Sequence, residues 1–149
     1  MKKLSHSLED YIEAAYIFEK KNGFSRIKEI ANFLEVKLPA VNKAVKELDR
    51  RGFLTHQKYG YIKLTKEGKR IAENVLDRHN ALVEIFKIFD INDNDSNKYA
   101  CYIEHIIKKD SNEIFYFLDY FKSNIKEVEK IKNFIKKRKK DESNKSRKN

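Results

Sequence analysis

Apolar residues recur at helical spacing in three stretches of the N-terminal half, and short polar breaks separate these stretches. The first stretch predicts a helix over residues 7–21, which Ser7 begins and Asn22 and Gly23 end. Its apolar face carries Leu8, Tyr11, Ile12, Ala15 and Phe18. The second and third stretches, RIKEIANFL and LPAVNKAVKELDRRG, are joined by the short turn EVK. Two short amphipathic helices with such a connection predict a helix-turn-helix.

The next segment, FLTHQKYGYIKLT at residues 53–65, alternates apolar and polar positions on both sides of Tyr59 and Gly60. Alternation around a turn signal predicts a β-hairpin. A hairpin that directly follows a helix-turn-helix is the pattern of a winged helix.

The C-terminal half returns to helical spacing. It predicts a long helix over residues 66–89 after Thr65, then helices from Ser96 to about Lys108, from Ser111 and from about Asn124. These helices carry more apolar surface than one small bundle needs, which favours dimerisation. We therefore predict a mostly α-helical fold with a small β-hairpin wing. By these boundaries we expect a winged helix-turn-helix domain over residues 1–70, a helical dimerisation domain over residues 71–140, and a disordered basic tail over residues 141–149.

Charge is unevenly distributed along the chain. Residues 1–65 carry 13 Lys and Arg against 8 Asp and Glu, residues 66–135 carry 12 against 13, and residues 136–149 carry 8 against 2. Basic segments at both ends of a chain with net charge +10 indicate a polyanionic partner such as nucleic acid.

We expect no membrane association, because no apolar run approaches the roughly 20 residues that a spanning helix needs. A single cysteine and the absence of a signal-peptide pattern favour the cytoplasm.

One short segment, CYIEH, combines three metal-ligand side chains. In a helix, Cys101, Glu104 and His105 stand at positions i, i+3 and i+4 and share one face beside an apolar one. Thiolate, carboxylate and imidazole all bind divalent transition metals. Asp10 with Glu13 on the first helix and His79 on the long helix are further candidates.

These candidates also have simpler interpretations. His79 could be a hydrogen-bonded core histidine, and the two acids of the first helix could complement the helix dipole. A metal-independent winged-helix regulator is therefore an alternative. A zinc hydrolase is a more distant one, because the chain has no HExxH motif and no Gly-rich phosphate loop.

The predicted recognition helix, residues 39–51, offers four residues near its start: Pro39, Ala40, Asn42 and Lys43. Asparagine can read adenine and lysine can reach guanine in the major groove. Phosphate contacts are expected from a second set: Arg26, Lys37, Lys46, Lys58 and Tyr59. For Lys46 and Arg50 a solvated helix face is the alternative.

With these residues in hand, the chain resembles the DtxR/MntR family of metal-dependent transcriptional repressors, in the two-domain form without a C-terminal β-barrel domain. The resemblance covers about residues 5–122. Its motifs are SLEDYIEAAY, RIKEIANFLEVKLPAVNKAVKELDRRGFL, YGYIKLTKEGKRIA, DRHNAL and CYIEH. It implies a homodimer that binds double-stranded operator DNA, as a regulator and not an enzyme, when a divalent metal occupies a site at the hinge between its domains.

The resemblance also assigns roles to the candidate ligands. It implies Asp10, Cys101, Glu104 and His105 as primary ligands, with Glu13 and His79 matching residues that serve a second metal in manganese sensors. Aspartate at the first position is manganese-like, whereas cysteine at Cys101 is iron-like. We expect Fe(II) ahead of Mn(II), with Zn(II) or Co(II) binding in vitro. Val83 and Asn97 replace the Glu and His of an iron-type ancillary site, and Cys101 lacks the carboxylate that would bridge a manganese-type second metal. We therefore expect one metal per subunit.

Overall fold

The computed structural model describes residues 4–57, 60–107 and 112–146. It divides into two compact units, residues 1–76 and residues 77–149. The elements in chain order are α1 (His6–Asn22), β1 (Ser25–Arg26), α2 (Ile27–Phe33), α3 (Leu38–Arg50), β2 (Leu54–His56), β3 (Tyr61–Leu64), α4 (Lys66–Ile88), α5 (Asp93–Ile103), α6 (Glu113–Ser123) and α7 (Ile125–Ser146). None of the helices in the described residues combines the length and apolar character that a bilayer span requires.

The first unit has the predicted winged-helix fold. Its helix-turn-helix is α2 and α3, and its wing is the antiparallel pair β2 and β3, in which Leu54 faces Leu64. The short strand β1 joins the other side of β3, with Ser25 opposite Ile62, so the strand order is β1-β3-β2. The sequence pattern missed β1 because two residues are too few to show alternation.

The core of the first unit lies beneath the recognition helix. Val41, Ala44, Val45 and Leu48 form one buried face of α3 and pack in one cluster with apolar residues of α1, α2 and the sheet. Because this face is buried, α3 has only its opposite face available to a partner.

A half-buried carboxylate also ties the elements of this unit together. Glu19 on α1 accepts a hydrogen bond of 2.7 Å from the backbone N–H of Leu64 and pairs with Lys69 Nζ at 2.7 Å. The side chain of Glu19 is 10% exposed, so it links α1 to the wing and to α4 where water competes little.

Two predicted helix starts are shifted. Helix α1 is capped by Ser5, whose side chain accepts from the N–H of Leu8, and not by Ser7. Helix α5 begins at Asp93 after the cap Asn92, and Ser96 instead lies buried with its hydroxyl donating to the carbonyl of Ile91. Ser, Asn and Asp all cap helices, so a polar run containing several of them does not fix the first residue.

The second unit is helical, and its apolar residues form two clusters. One joins Ala81, Ile85 and Ile88 of α4 to Leu118 and Phe121 of α6, with residues of α7 packed against it. The other joins α4 to α5. The helix predicted from Ser96 to Lys108 ends at Ile103, and residues 108–111 lie outside the described part of the chain.

The basic C-terminal segment differs from the predicted disordered tail. Helix α7 continues through Ser146, so residues 141–146 are helical, while residues 147–149 lie outside the described part. The segment has no apolar residue after Ile135. It also has no Gly or Pro, and Lys, Arg and Glu are good helix formers, which lets an existing helix continue.

Candidate metal centre and DNA-binding surface

In the first unit, the two candidate ligands lie on α1. Asp10 and Glu13 are both half-buried, and their spacing of three residues places them on one side of the helix. Tyr11, Ile12 and Ala14 beside them are buried. Both carboxylates therefore lie where α1 passes from its buried to its exposed side.

In the second unit, the central group is the Glu104 carboxylate, which is fully buried. Its Oε2 lies 2.6 Å from His79 Nδ1, and its Oε1 lies 3.3 Å from His105 Nε2. The imidazoles are themselves largely buried, with side chains 17% and 7% exposed. Helix α4 and the turn after α5 thus bring three of the predicted ligands together from distant positions in the sequence.

The backbone of Glu104 is fixed as firmly as its side chain. Its N–H donates to the carbonyl of Ala100 at 2.9 Å, and its carbonyl accepts from Arg78 Nε at 3.0 Å. Arg78 is 2% exposed, and its cationic group lies next to the residue that carries the buried carboxylate.

Sequence reasoning did not single out Arg78, although a signal was available. Arg78 continues the buried stripe of α4 that includes Ile71, Val75, Leu82 and Ile85, whereas His79 stands beside that stripe. A charged residue at a core position of an amphipathic helix indicates a buried partner.

The chain bends just where the predicted ligand set lies. Helix α5 ends at Ile103, and residues 104–106 form a turn in which the N–H of Ile106 donates to the carbonyl of Ile103 at 2.9 Å. Cys101 remains on the last turn of α5 and is exposed.

A metal site needs several ligand atoms from His, Cys, Asp or Glu close together. Among the described residues, neither unit by itself has three such atoms that all lie within 4.8 Å of one another. In particular, the Cys101 sulfur does not complete such a trio with Glu104 and His105. A site with four protein ligands therefore needs side chains beyond those that the second unit arranges alone.

The chemistry of this cluster fits a divalent transition metal. A fully buried carboxylate requires a compensating positive charge. Among the described residues, Glu104 Oε1 accepts no hydrogen bond of ordinary geometry. An oxygen without a donor, flanked by imidazole nitrogens, is a combination that binds first-row metal ions.

Val83 and Asn97 stand at the two positions where the family resemblance would place the Glu and His ligands of an iron-type ancillary site. Val83 is buried in an apolar cluster with Leu82 and Ala100. Asn97 Oδ1 lies 3.2 Å from His79 Nε2, and the Asn97 amide donates to the carbonyl of Asp93 at 2.6 Å. Asn97 thus orients the second nitrogen of His79, a contact that the sequence did not reveal.

The outer face of α3 carries the predicted base-reading residues. Pro39, Ala40, Lys43 and the phosphate candidate Lys46 are all exposed, as is Lys37 at the helix N-cap. Asn42 is half-buried and donates one amide hydrogen to the carbonyl of Leu38 at 3.0 Å, so one of its two hydrogens is used inside the helix.

Two further residues of this surface are held by neighbours. Arg50 forms a two-contact ion pair with Glu47, at 3.0 and 2.8 Å. Arg26 is exposed at the start of α2, and its guanidinium lies 5.2 Å from the ring centres of both Phe24 and Tyr61. The stacked rings hold the cation in a fixed place at the base of the wing. The predicted wing residues Lys58 and Tyr59 lie outside the described residues.

The sequence matches two family descriptions in succession. "Iron dependent repressor, N-terminal DNA binding domain" matches residues 3–62, and "Iron dependent repressor, metal binding and dimerisation domain" matches residues 65–131. The HTH-type transcriptional regulator MntR of Oceanobacillus iheyensis is 35% identical over 131 residues, which are 87% of this chain and 89% of the relative. The protein of the same name from Shouchella clausii is 32% identical over 135 residues, 86% of this chain and 94% of the relative.

Solved structures have a similar fold. The crystal structure of T. acidophilum IdeR superposes with a TM-score of 0.67 at 21% identity, over 81% of this chain and 55% of that one. The structure of the manganese regulator SloR gives a TM-score of 0.65 at 25% identity, over 78% of this chain and 53% of that one. The chain therefore spans about half the length of these two neighbours.

The buried arginine gives a first prediction. In Arg78→Met the carbonyl of Glu104 loses its donor, and an unsatisfied buried acceptor costs about 1–3 kcal/mol. We expect urea unfolding to show a loss of this size. Arg70→Met on the same helix removes an arginine whose ion pair with Glu67 is exposed, so the unfolding free energy should change by less than in Arg78→Met. Equal stability of the two variants would show that Arg78 does not support the Glu104 turn.

Proposed function

Because the chain belongs to the DtxR/MntR family of metal-dependent transcriptional repressors, we propose that binding of one divalent transition metal ion per protomer enables it to bind operator DNA. The family consists of DNA-binding regulators with a dimerisation domain, and not of enzymes. The proposed ligands are Asp10, Cys101, Glu104 and His105, with Glu13 and His79 as supporting residues.

The observation that carries this proposal is the buried Glu104 carboxylate with imidazole nitrogens near both of its oxygens. A histidine hydrogen bond alone could satisfy one oxygen, but Oε1 accepts none within the described residues. A bound divalent cation would supply the missing charge, and His79 and Arg78 then serve to orient the carboxylate.

The requirement for ligands from both units gives the switch its physical basis. The described residues of neither unit offer a complete three-ligand group alone. The proposed ligands belong to both units, Asp10 to the first and Glu104 and His105 to the second. A ligand shifts a conformational equilibrium only by its differential affinity for the two states. A shift from 1:99 to 99:1 requires about 5.5 kcal/mol, which a site assembled in only one state can supply.

DNA recognition is assigned to the exposed face of α3. We propose that Lys43 and Asn42 read base edges and that Lys37, Lys46 and Arg26 contact phosphates. A symmetric dimer would present two copies of α3 to successive major grooves, about 34 Å apart.

Apolar side chains exposed on the second unit support dimerisation. On α5 and the following turn these are Tyr99, Tyr102, Ile103 and Ile106, and on α6 they are Tyr116, Phe117 and Tyr120. Tyr102, Ile106 and Tyr116 are 65% exposed or more, which is costly for large apolar groups unless a partner covers them.

Metal preference is proposed to depend on Cys101. Asp10, Glu104 and the histidines offer oxygen and nitrogen ligands that suit Mn(II), whereas a thiolate favours Fe(II), Zn(II) or Co(II). Cys101 is exposed on the last turn of α5, so its entry into the site requires a small change of that turn. If the thiolate binds, Fe(II) comes first and Mn(II) second; if it does not, the order reverses.

Removing the charge of the first-unit ligand should uncouple DNA binding from metal. The test uses a DNA duplex that the wild-type protein selects with Mn(II) present. Metal should raise the population of the DNA-binding state from about 1% to nearly all molecules, so the apparent affinity for this duplex should rise about 100-fold. Asp10→Asn should bind as weakly as the wild type does with chelator, because its neutral side chain is a poor ligand. Fluorescence anisotropy measures both.

Asp119→Asn, which changes an exposed carboxylate of α6, is the matched control and should keep the full metal response. A normal metal response in Asp10→Asn would show that Asp10 does not take part in the switch.

Replacing the thiol should change the ranking of metals. In Cys101→Glu a hard carboxylate replaces a soft thiolate, so the Mn(II) concentration for half-maximal operator binding should fall relative to that of Fe(II). Titrations with Mn(II), Fe(II), Co(II) and Zn(II) under argon give the ranking. Cys101→Ser removes the thiolate without adding a charge, and the same ranking in all three proteins would exclude Cys101 as the selectivity residue.

A further inference from the structure

The last part of α7 is a helical surface that carries positive charge and no apolar residue. Ile135 is the last residue of the helix that is half-buried, and residues 136–144 are all exposed. Residues 136–149 contain 8 Lys and Arg against 2 Asp and Glu, and the first five of them are cations in an unbroken run. Metal binding and base reading, as proposed above, use none of them.

Contacts within the chain divide this run into two sets. Arg138 lies 5.3 Å from the ring centre of Phe134. Lys139 donates to the carbonyl and to Oδ2 of Asp90, at 3.0 and 2.9 Å. The other three, Lys136, Lys137 and Lys140, form no ion pair within the described residues and fall within an arc of about 100° on a helix of 3.6 residues per turn.

The contact with Asp90 fixes this cationic arc on the folded domain. The hydrogen bond from Lys139, helped by the charges of Lys139, Lys136 and Lys132, holds the pKa of the Asp90 carboxyl below its usual range. Asp90 lies two residues after the end of α4, so α7 is anchored at Lys139 as well as through Val128 and Ile131 in the core.

The charge density of this arc suits one class of partner. The three lysines of the arc span about 6 Å of helix axis, which is about one positive charge per 2–3 Å, against one negative charge per about 1.7 Å of duplex DNA. A membrane-binding helix would need an apolar face, and no apolar residue follows Ile135. The chain already binds DNA as a member of its family, so duplex DNA is the polyanion that it meets.

We propose that Lys136, Lys137 and Lys140 on α7 form an auxiliary DNA-binding surface that contacts the phosphate backbone without regard to sequence. The proposal rests on DNA binding as the function of the chain but not on the metal site. Such contacts release counterions, so their signature is the salt dependence of binding.

The test is the triple variant Lys136→Gln, Lys137→Gln, Lys140→Gln in the full-length chain, with a duplex of random sequence and a chelator present. Each phosphate contact adds about 0.9 to the magnitude of the slope of log affinity against log salt. Losing three contacts per protomer should therefore reduce this magnitude by up to about 2.7 per protomer. Glutamine preserves helix propensity, and Arg138 and Lys139 keep their contacts.

The matched control neutralises three other exposed lysines, Lys21, Lys98 and Lys126, and changes the net charge equally. We expect a clearly smaller slope change in the control, and a wild-type slope when the three α7 residues are replaced by arginine. An unchanged slope in the test variant, or an equal reduction in test and control, overturns the proposal. Metal-dependent operator binding should persist in every variant, so a failure here is distinct from a failure of the metal switch.

Discussion

The proposed metal site depends on a carboxylate that is buried without a full set of hydrogen-bond donors among the described residues. Glu104 is fully buried, and a charged group in such a place is costly unless positive charge and hydrogen bonds surround it. His79 and Arg78 supply part of this environment from α4. The remaining demand for positive charge at Oε1 is the reason for proposing a metal site here and not merely a polar contact in a core.

This centre and the DNA-binding surface impose different constraints on the chain. Helix α3 buries Val41, Val45 and Leu48 and leaves the opposite face to DNA, so its position is set by packing alone. The carboxylates of α1 lie in the same unit as α3, whereas Glu104 and His105 lie in the other. If these residues are the ligands, as proposed, metal binding can influence DNA binding without any metal contact to the DNA itself.

Much of this could be predicted from residue spacing, and the failures have identifiable causes. The helix-turn-helix and the wing follow from strong periodicity and from clear breaks such as Gly23 and Gly52. Strand β1 could not be predicted because Ser25 and Arg26 form a strand only by pairing with β3. The end of α5 was missed because nothing in the segment CYIEH breaks a helix; tertiary contacts of Glu104 with Arg78 and His79 accompany the turn instead.

The same limit applies to the functional residues. Residue type and spacing suggested Glu104, His105 and His79, and the structure brings these three together. They also suggested that Cys101 would share their face, which required a continuous helix, and the chain tightens after Ile103. The supporting roles of Arg78 and Asn97 depend on contacts across 26 and 18 residues of sequence, and no local pattern encodes them.

The most direct test is to measure the metal affinity of Glu104→Gln by calorimetric titration with Mn(II) and with Fe(II) under argon. The amide has the same shape but no charge, so the account predicts a folded protein whose metal affinity falls by at least about 100-fold, the upper end of what loss of a supporting residue costs. Glu84→Gln, an exposed carboxylate of α4, should bind metal as the wild type does. Wild-type metal affinity in Glu104→Gln would contradict the account.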